Sequence, residues 1–286
     1  MVAQLRLTHL ERVPLPVDTW WTHPQFSSDG RSIFVTSVQF DGIWEYALQS
    51  RQLRQVTADK GAGLIYRMTS DGSQIVYRRN VAATPQDPRM FEVVAVRRSG
   101  ELPIILARGA DVESPQAYIA ANHSLLKTGT TISSATLGPV IIGIEDTKIA
   151  LQMDGQRRTF DPLGRGSYIW PSLSPDGKRL LAYDMTRGAF VSDLNGAGIV
   201  MLGRRDAPTW TRDGRWIIAM ADEDDGQQIL KSEIIFVAPD GATSGTLTNS
   251  PDIIELFPSC SPTENKILCS TPAGEVFLLT YEEGRQ

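Results

Sequence analysis

Apolar and polar residues alternate in short runs along most of this chain, and the runs come in pairs around a turn. The stretches PQFSSDGRSIFV from Pro24, YRMTSDGSQIVY from Tyr66, PSLSPDGKRLLA from Pro171 and PTWTRDGRWIIA from Pro208 share one plan. PSCSPTENKILC from Pro258 keeps the plan without the glycine, and PQAYIAANHSLL from Pro115 keeps it weakly. In the first four, an Asp-Gly pair starts five residues after the anchor, at Asp29, Asp71, Asp176 and Asp213. Glycine accepts positive φ and aspartate bonds its own backbone. Alternation on both sides of Asp-Gly therefore predicts a β-hairpin with one buried face. Apolar residues two and eleven places after the anchor are expected to meet across each hairpin: Phe26/Val35, Met68/Tyr77, Leu173/Ala182, Trp210/Ala219 and Cys260/Cys269.

A second pair of short strands follows most hairpins, as in GIWEYALQSRQLRQVT (42–57), AFVSDLNGAGIVML (189–202) and EIIFVAPDGATSGTLT (233–248). An isolated hairpin is marginal in water, but stacked four-stranded units bury one another. Four strands every ~40–50 residues is the period of a β-propeller blade. The last unit ends at EVFLLTY (275–281) and lacks an outermost strand, while QLRLTHLERV (4–13) alternates like a strand ahead of the first anchor. Ring closure by that N-terminal strand would hide the edges that an open array exposes. The sequence thus predicts an all-β fold: a single domain over residues 1–286, a six-bladed propeller of four-stranded blades closed by its N-terminal strand. The third repeat, residues 115–166, lacks Asp-Gly. Its apolar VIIGI (140–144) reads as an extra strand or as the remnant of a seventh blade.

The motif PxxSPDGKxLxxx, followed by a strand pair that closes near Thr57 in RQVT and Thr248 in GTLT, resembles the TolB-type propeller repeat, a relative of WD repeats. The run Tyr168-Ile169-Trp170-Pro171 also resembles propellers of unknown function from Bacteroidetes. The resemblance covers nearly the whole chain. It implies a periplasmic or otherwise extracytoplasmic protein, and among its members are scaffolds, sugar-acid lyases and the gating domains of peptidases. A peptidase would need a G-x-S-x-G nucleophile elbow, and the sequence holds none. The lyases of this kind place several histidines and a metal in the channel, whereas this chain has only His9, His23 and His123.

Charge and composition narrow the function further. The formal net charge is −5, with 28 basic and 33 acidic residues, which argues against a nucleic-acid partner. No apolar run approaches the ~18 residues of a membrane span. The N-terminal MVAQLRLTHLERVPLP lacks the apolar core of a signal peptide, so either a cytoplasmic protein or one numbered after a removed leader fits. Two cysteines are too few for a disulfide framework, and buried thiols are expected.

Candidate binding residues sit in the loops that lead into the anchors. They are Trp20, Trp21, His23, Tyr66, Tyr168, Trp170 and Asp206, on the face where loops of several blades converge. Aromatic side chains gathered there suit a sugar or a protein loop, while the alternative for each is interblade packing. Neighbouring residues of a strand point to opposite faces, so Trp20 and Trp21 cannot both face inward. The run Asp222, Glu223, Asp224, Asp225 falls between the second and third strands of the fifth blade, on the same face. It reads as a solvated acidic loop or as a site for a cation or a basic partner segment, and it lacks EF-hand spacing. No Ser/His/Asp set, cofactor motif or metal-ligand spacing appears. The expected function is a non-enzymatic scaffold engaging a protein or glycan partner on the converging face. The alternative is a carbohydrate lyase or hydrolase at the channel mouth, with Asp206, the acidic run and His23 as its acid and base groups.

Overall fold

The computed structural model describes residues 3–81, 84, 86–100, 102–121 and 138–285. Its strands form six small sheets. β1 (Ala3–Arg12) precedes the first blade, which is β2 (Trp21–Phe26), β3 (Ser32–Ser37), β4 (Ile43–Ala47) and β5 (Gln52–Thr57). The second is β6 (Tyr66–Met68), β7 (Gln74–Asn80), β8 (Phe91–Arg97) and β9 (Ile104–Gly109). The third holds α1 (Pro115–Ala121), β10 (Val140–Glu145), β11 (Lys148–Met153) and β12 (Gln156–Phe160). The fourth is β13 (Tyr168–Leu173), β14 (Arg179–Asp184), β15 (Gly188–Asp193) and β16 (Val200–Gly203). The fifth is β17 (Asp206–Trp210), β18 (Ile217–Asp224), β19 (Ile229–Val237) and β20 (Ser244–Thr246). The sixth contributes β21 (Leu256–Cys260), β22 (Lys266–Ser270) and β23 (Val276–Arg285), and β1 completes it outside β23. The six-bladed ring closed by the N-terminal strand is thus the observed fold. No helix among the described residues is long and apolar enough to cross a membrane.

The repeat owes its sequence to one turn. In four blades the hydroxyl three places after the anchor donates to the turn aspartate: Ser27 to Asp29 (2.6 Å), Thr69 to Asp71 (2.6 Å), Ser174 to Asp176 (2.6 Å) and Thr211 to Asp213 (2.8 Å). The same carboxylates accept the backbone N–H groups of Arg31, Ser73, Lys178 and Arg215. The glycines that follow have φ of 66–69°, a conformation costly for any residue with a Cβ. In the sixth blade, without Asp-Gly, the Ser261 hydroxyl takes the N–H groups of Thr263 and Glu264 instead.

This turn also corrects the expected pairing. Phe26 lies opposite Ile33, Met68 opposite Ile75, Leu173 opposite Leu180, Trp210 opposite Ile217 and Cys260 opposite Ile267. The capped turn is two residues tighter than the apolar spacing suggested. The eleventh-place residues fall diagonally instead; Phe26 still packs with Val35, Met68 with Tyr77 and Cys260 with Cys269. Cys260 and Cys269 are free thiols, and burial pushes both upward in pKa.

The anchor prolines serve a second device. The register breaks between Thr22 and Gln25, Ile169 and Ser172, Asp206 and Thr209, and Leu256 and Ser259. At each break the residue before proline is left-handed: His23 (φ 48°), Trp170 (51°), Ala207 (47°) and Phe257 (54°). Proline has no N–H, and a bulge needs none there. Blade two, with Tyr66 in place of proline, pairs without a break.

The third blade departs from the sequence reading. The run from Pro115 forms α1 rather than a first strand. It has no Asp-Gly to turn on, and its alanine-rich QAYIAA, with proline at the first helical position, favours a helix. α1 lies against β7 and β6 of the blade before, the place that first strands take elsewhere. VIIGI is β10, the partner of β11, so it belongs to the third of six blades rather than to a seventh.

Each interface between blades has its own apolar layer, from Phe34, Ile43, Ile75 and Tyr77 between the first two to Ile218, Phe236, Ile267 and Cys269 between the last two. Polar groups tie the loops. Asp184 is fully buried and accepts from the N–H groups of Ser167, Thr186 and Arg187, the Thr186 hydroxyl and the Arg187 guanidinium, which hold its carboxyl well below the usual range. Asp184→Ala is expected to destabilise the chain by about 2–3 kcal/mol, read as the shift of a urea unfolding curve, because the N–H groups of Ser167, Thr186 and Arg187 and the Thr186 hydroxyl lose their buried acceptor.

Glu255 is the opposite case. It is fully buried between the fifth and sixth blades, and burial, then repulsion from Glu233, raises its pKa to about 7. The folded chain therefore binds this proton more tightly than the unfolded one. The stability the group contributes is present below its ordinary pKa of ~4.3 and is lost as pH rises through about 7. Glu255→Gln is expected to raise the melting temperature by about 2–4 °C at pH 8 and to leave it unchanged at pH 4. An equal shift at both pH values would contradict the assignment.

Candidate functional site

The loops into the first strands and the turns between second and third strands share one face. The Asp-Gly turns lie on the other. The first carries the exposed apolar side chains Val17, Trp20, Val38, Leu64, Met185 and Leu230, spread over four blades. The opposite face carries Leu102, 89 % exposed in the turn between β8 and β9, and Ile104, Ile105, Ile199 and Met201 are exposed at or beside fourth strands. Trp20 is 58 % exposed and Trp21 3 %. The pair divides as strand alternation requires.

Three of the residues singled out from the sequence are packing residues rather than parts of an open face. Trp21 donates its indole N–H to the Pro16 carbonyl (2.8 Å) and meets Trp44 edge-on at 5.1 Å, in the layer between the first and sixth blades. Tyr66 is buried between the first two blades. Tyr168 is buried too, and its hydroxyl donates to Asp161 (2.6 Å) and accepts from the Leu163 N–H (3.0 Å). Each stands at the start of a first strand, where one side chain must face the neighbouring blade, and the largest ring takes that place.

His23 and Trp170 sit on the left-handed bulges. The His23 ring stacks on Phe257 of the adjacent blade (4.1 Å, 23°) and meets Phe40 edge-on at 5.2 Å. Its Nδ1 contacts the Thr22 hydroxyl (2.9 Å), and burial lowers its pKa. A stacked, desolvated imidazole is neutral at pH 7. Trp170 is partly exposed and rests edge-on against Tyr183 at 5.6 Å. His9 lies on β1 at the surface, 3.7 Å from Glu11, and His123 lies outside the described residues.

Beside Trp170 the structure brings together a group that the sequence did not foretell. Asp206 and Asp222 come within hydrogen-bonding reach, with Tyr183 and Arg204 against them. Burial, then the charge of Asp222, raises the Asp206 pKa, although the Tyr183 hydroxyl offsets part of this. One oxygen of Asp222 is buried without a hydrogen-bond partner. The rest of the acidic run does something else: β18 continues to Asp224, and the carboxylates of Asp224 and Asp225 cap the turn by accepting from Gly226, Gln227 and Gln228. Glu223 pairs in the strand with Lys231. Among the described residues no three His, Cys, Asp or Glu side chains are placed to hold a metal ion.

A cleft of about 1100 Å³ opens along the channel wall of the second, third and fourth blades, where α1 replaces a strand. Ile65, Arg67, Arg78, Ile141 and Trp170 line it. Neither arginine stood out in the sequence, because which face of a first strand meets the channel depends on the register with its neighbour.

No family model matches the sequence, and no curated protein matches it. Solved structures do match in fold. The β-propeller domain of Cps50 (Swd1) from Myceliophteria thermophila superposes with a TM-score of 0.59 at 12 % identity, over 97 % of this chain and 99 % of that one. TolB from Acinetobacter baumannii gives 0.53 at 12 % identity, over 81 % of this chain and 55 % of that one. An oligogalacturonate lyase in complex with manganese gives 0.52 at 14 % identity, over 91 % and 76 %. At such identity the likeness is one of architecture, and it agrees with the propeller derived from the repeats.

Proposed function

We propose that this propeller is a non-enzymatic binding scaffold whose converging face engages a protein partner. The observation that carries the reading is the exposure of Trp20, with Val17, Val38, Leu64, Met185 and Leu230, in the loops and turns of that face. Large apolar side chains gathered on one exposed face mark interaction surfaces, and an exposed tryptophan is a frequent energetic anchor in such surfaces. The acidic turn at Glu223–Asp225 adds a charged rim suited to a basic segment. A glycan is the other partner class this face suits, since Trp20 and Trp170 each offer a ring to a sugar.

One observation favours a second reading, a carbohydrate lyase or hydrolase. It is the Asp206–Asp222 pair beside Trp170 and Tyr183, two carboxyls next to an aromatic surface. In that reading Asp206 acts as the acid and Asp222 as the base.

Two measurements separate these readings. Capture from a lysate of the source organism is expected to retain a protein on the wild-type chain and to lose it on a Trp20→Ala/Leu64→Ala variant, with affinity at least tenfold weaker. Both side chains are exposed, so the variant keeps its fold, which thermal melting checks. Equal capture by both chains sinks the scaffold reading. Turnover in a glycan panel, reduced ~100-fold or more by Asp206→Asn, would establish the enzyme reading; a silent panel with and without divalent metal would dismiss it.

A further inference from the structure

Several guanidinium groups in this ring have an acid. Arg79 meets Asp59 and Glu92, Arg98 meets Glu45, Arg187 meets Asp184, and Arg157 meets Glu113 and Glu145. Arg67 and Arg78, like Arg158 and Arg179, meet backbone carbonyls or aromatic rings instead. Arg67 donates to the Tyr66 carbonyl (2.8 Å), and Arg78 rests on the Phe91 ring at 4.6 Å. Among the described residues neither has a carboxylate. Asp111, Glu113, Glu145 and Asp146 also line the cleft; Glu113 and Glu145 hold Arg157, and none of the four pairs with Arg67 or Arg78.

The register explains why the two act together. Arg67 lies opposite Val76, and Val76 and Arg78 are two apart on β7, so all three side chains share one face of the second blade. Across a strand pair, diagonal neighbours stand roughly 7–8 Å apart, a span that two long guanidinium arms close easily. That face is turned toward α1, whose Ile119 packs on Val76. A first strand would cover more of it. The short helix leaves both arginines on the wall of the cleft.

The surroundings also press for an anion. Protein packed around the channel lowers the pKa of both groups, by desolvation foremost, although Arg67 remains in contact with channel water. A guanidinium with no acid beside it leaves charge-assisted donors unused. Arg67 commits one donor to a backbone carbonyl and Arg78 none to any side chain shown. The planar fork of arginine matches the paired oxygens of a carboxylate or phosphate. In a chain of net charge −5, such a pair is a local exception.

We propose that this corner of the cleft is an oxyanion site, in which Arg67 and Arg78 together take the carboxylate or phosphate group of a ligand within the channel. The site stands apart from the apolar face and does not depend on its partner. Titration calorimetry at low ionic strength, with inorganic phosphate in one arm and glutarate in the other, tests it. Saturable binding of either is expected, and the arm that binds names the group. Arg67→Gln/Arg78→Gln should weaken it at least tenfold, while Arg89→Gln, an exposed residue off the cleft, should not. If the double variant melts early, Arg67→Lys/Arg78→Lys replaces it: the charge stays, the fork is lost, and weaker binding is again expected. The Trp20→Ala/Leu64→Ala variant should bind the anion as the wild type does. No saturable heat in either arm, or unchanged affinity in a folded double variant, overturns the site.

Discussion

Every blade needs a neighbour on both sides, and this requirement governs the structure. The second strands β3, β14 and β22 are buried at nearly every position, because adjacent blades cover both faces of the sheet. A linear stack would leave two such faces open. The pairing of β1 with β23 removes them: the outermost strand of the last blade comes from the other end of the chain, and the Leu5 side chain joins the layer between the fifth and sixth blades. The ring is therefore covalently open and yet closed by hydrogen bonds. The conserved geometry of the turns and bulges makes sense only once the stack must close, since each blade then has to present the same wedge to the next.

Sequence and structure agree where a residue's role is local. The Asp-Gly turn is a local device, and its hydroxyl, carboxylate and glycine lie within a few residues, so the blades could be counted from the chain alone. The strand at residues 4–13 was legible for the same reason, through its alternation. Matters settled between distant segments were not. Pro115 opens a run apolar enough for either a strand or a helix, and the helix wins without a turn to fold back on. The two-residue error in cross-strand pairing came from reading apolar spacing rather than the hydrogen-bonded size of the turn.

The candidate site was legible only in outline. The converging face follows from topology, and Trp20 and Trp170 lie on its side of the ring. Burial of Trp21, Tyr66 and Tyr168 depends on which neighbour each first strand meets. The contact of Asp206 with Asp222 depends on the β17–β18 pairing, across sixteen residues of sequence. Arg67 and Arg78 look like ordinary surface positions in YRMTSDGSQIVYRR until the register puts them on one face. Charged residues in this ring are legible as chemistry only after their partners are known, and Arg67 and Arg78 become a pair only once the strand register sets them on one wall of the cleft.

The helix α1 has a consequence for symmetry. Six equal blades would give the channel a wall that repeats every sixty degrees, and a bound molecule would meet the same surroundings in several orientations. With a helix in one of six places, the wall acquires a unique direction. The second and fifth blades face each other across the ring, one bearing the arginines and the other the Asp206–Asp222 pair. The channel wall thereby has a single heading, and the oxyanion site proposed on it would meet a ligand from one side only.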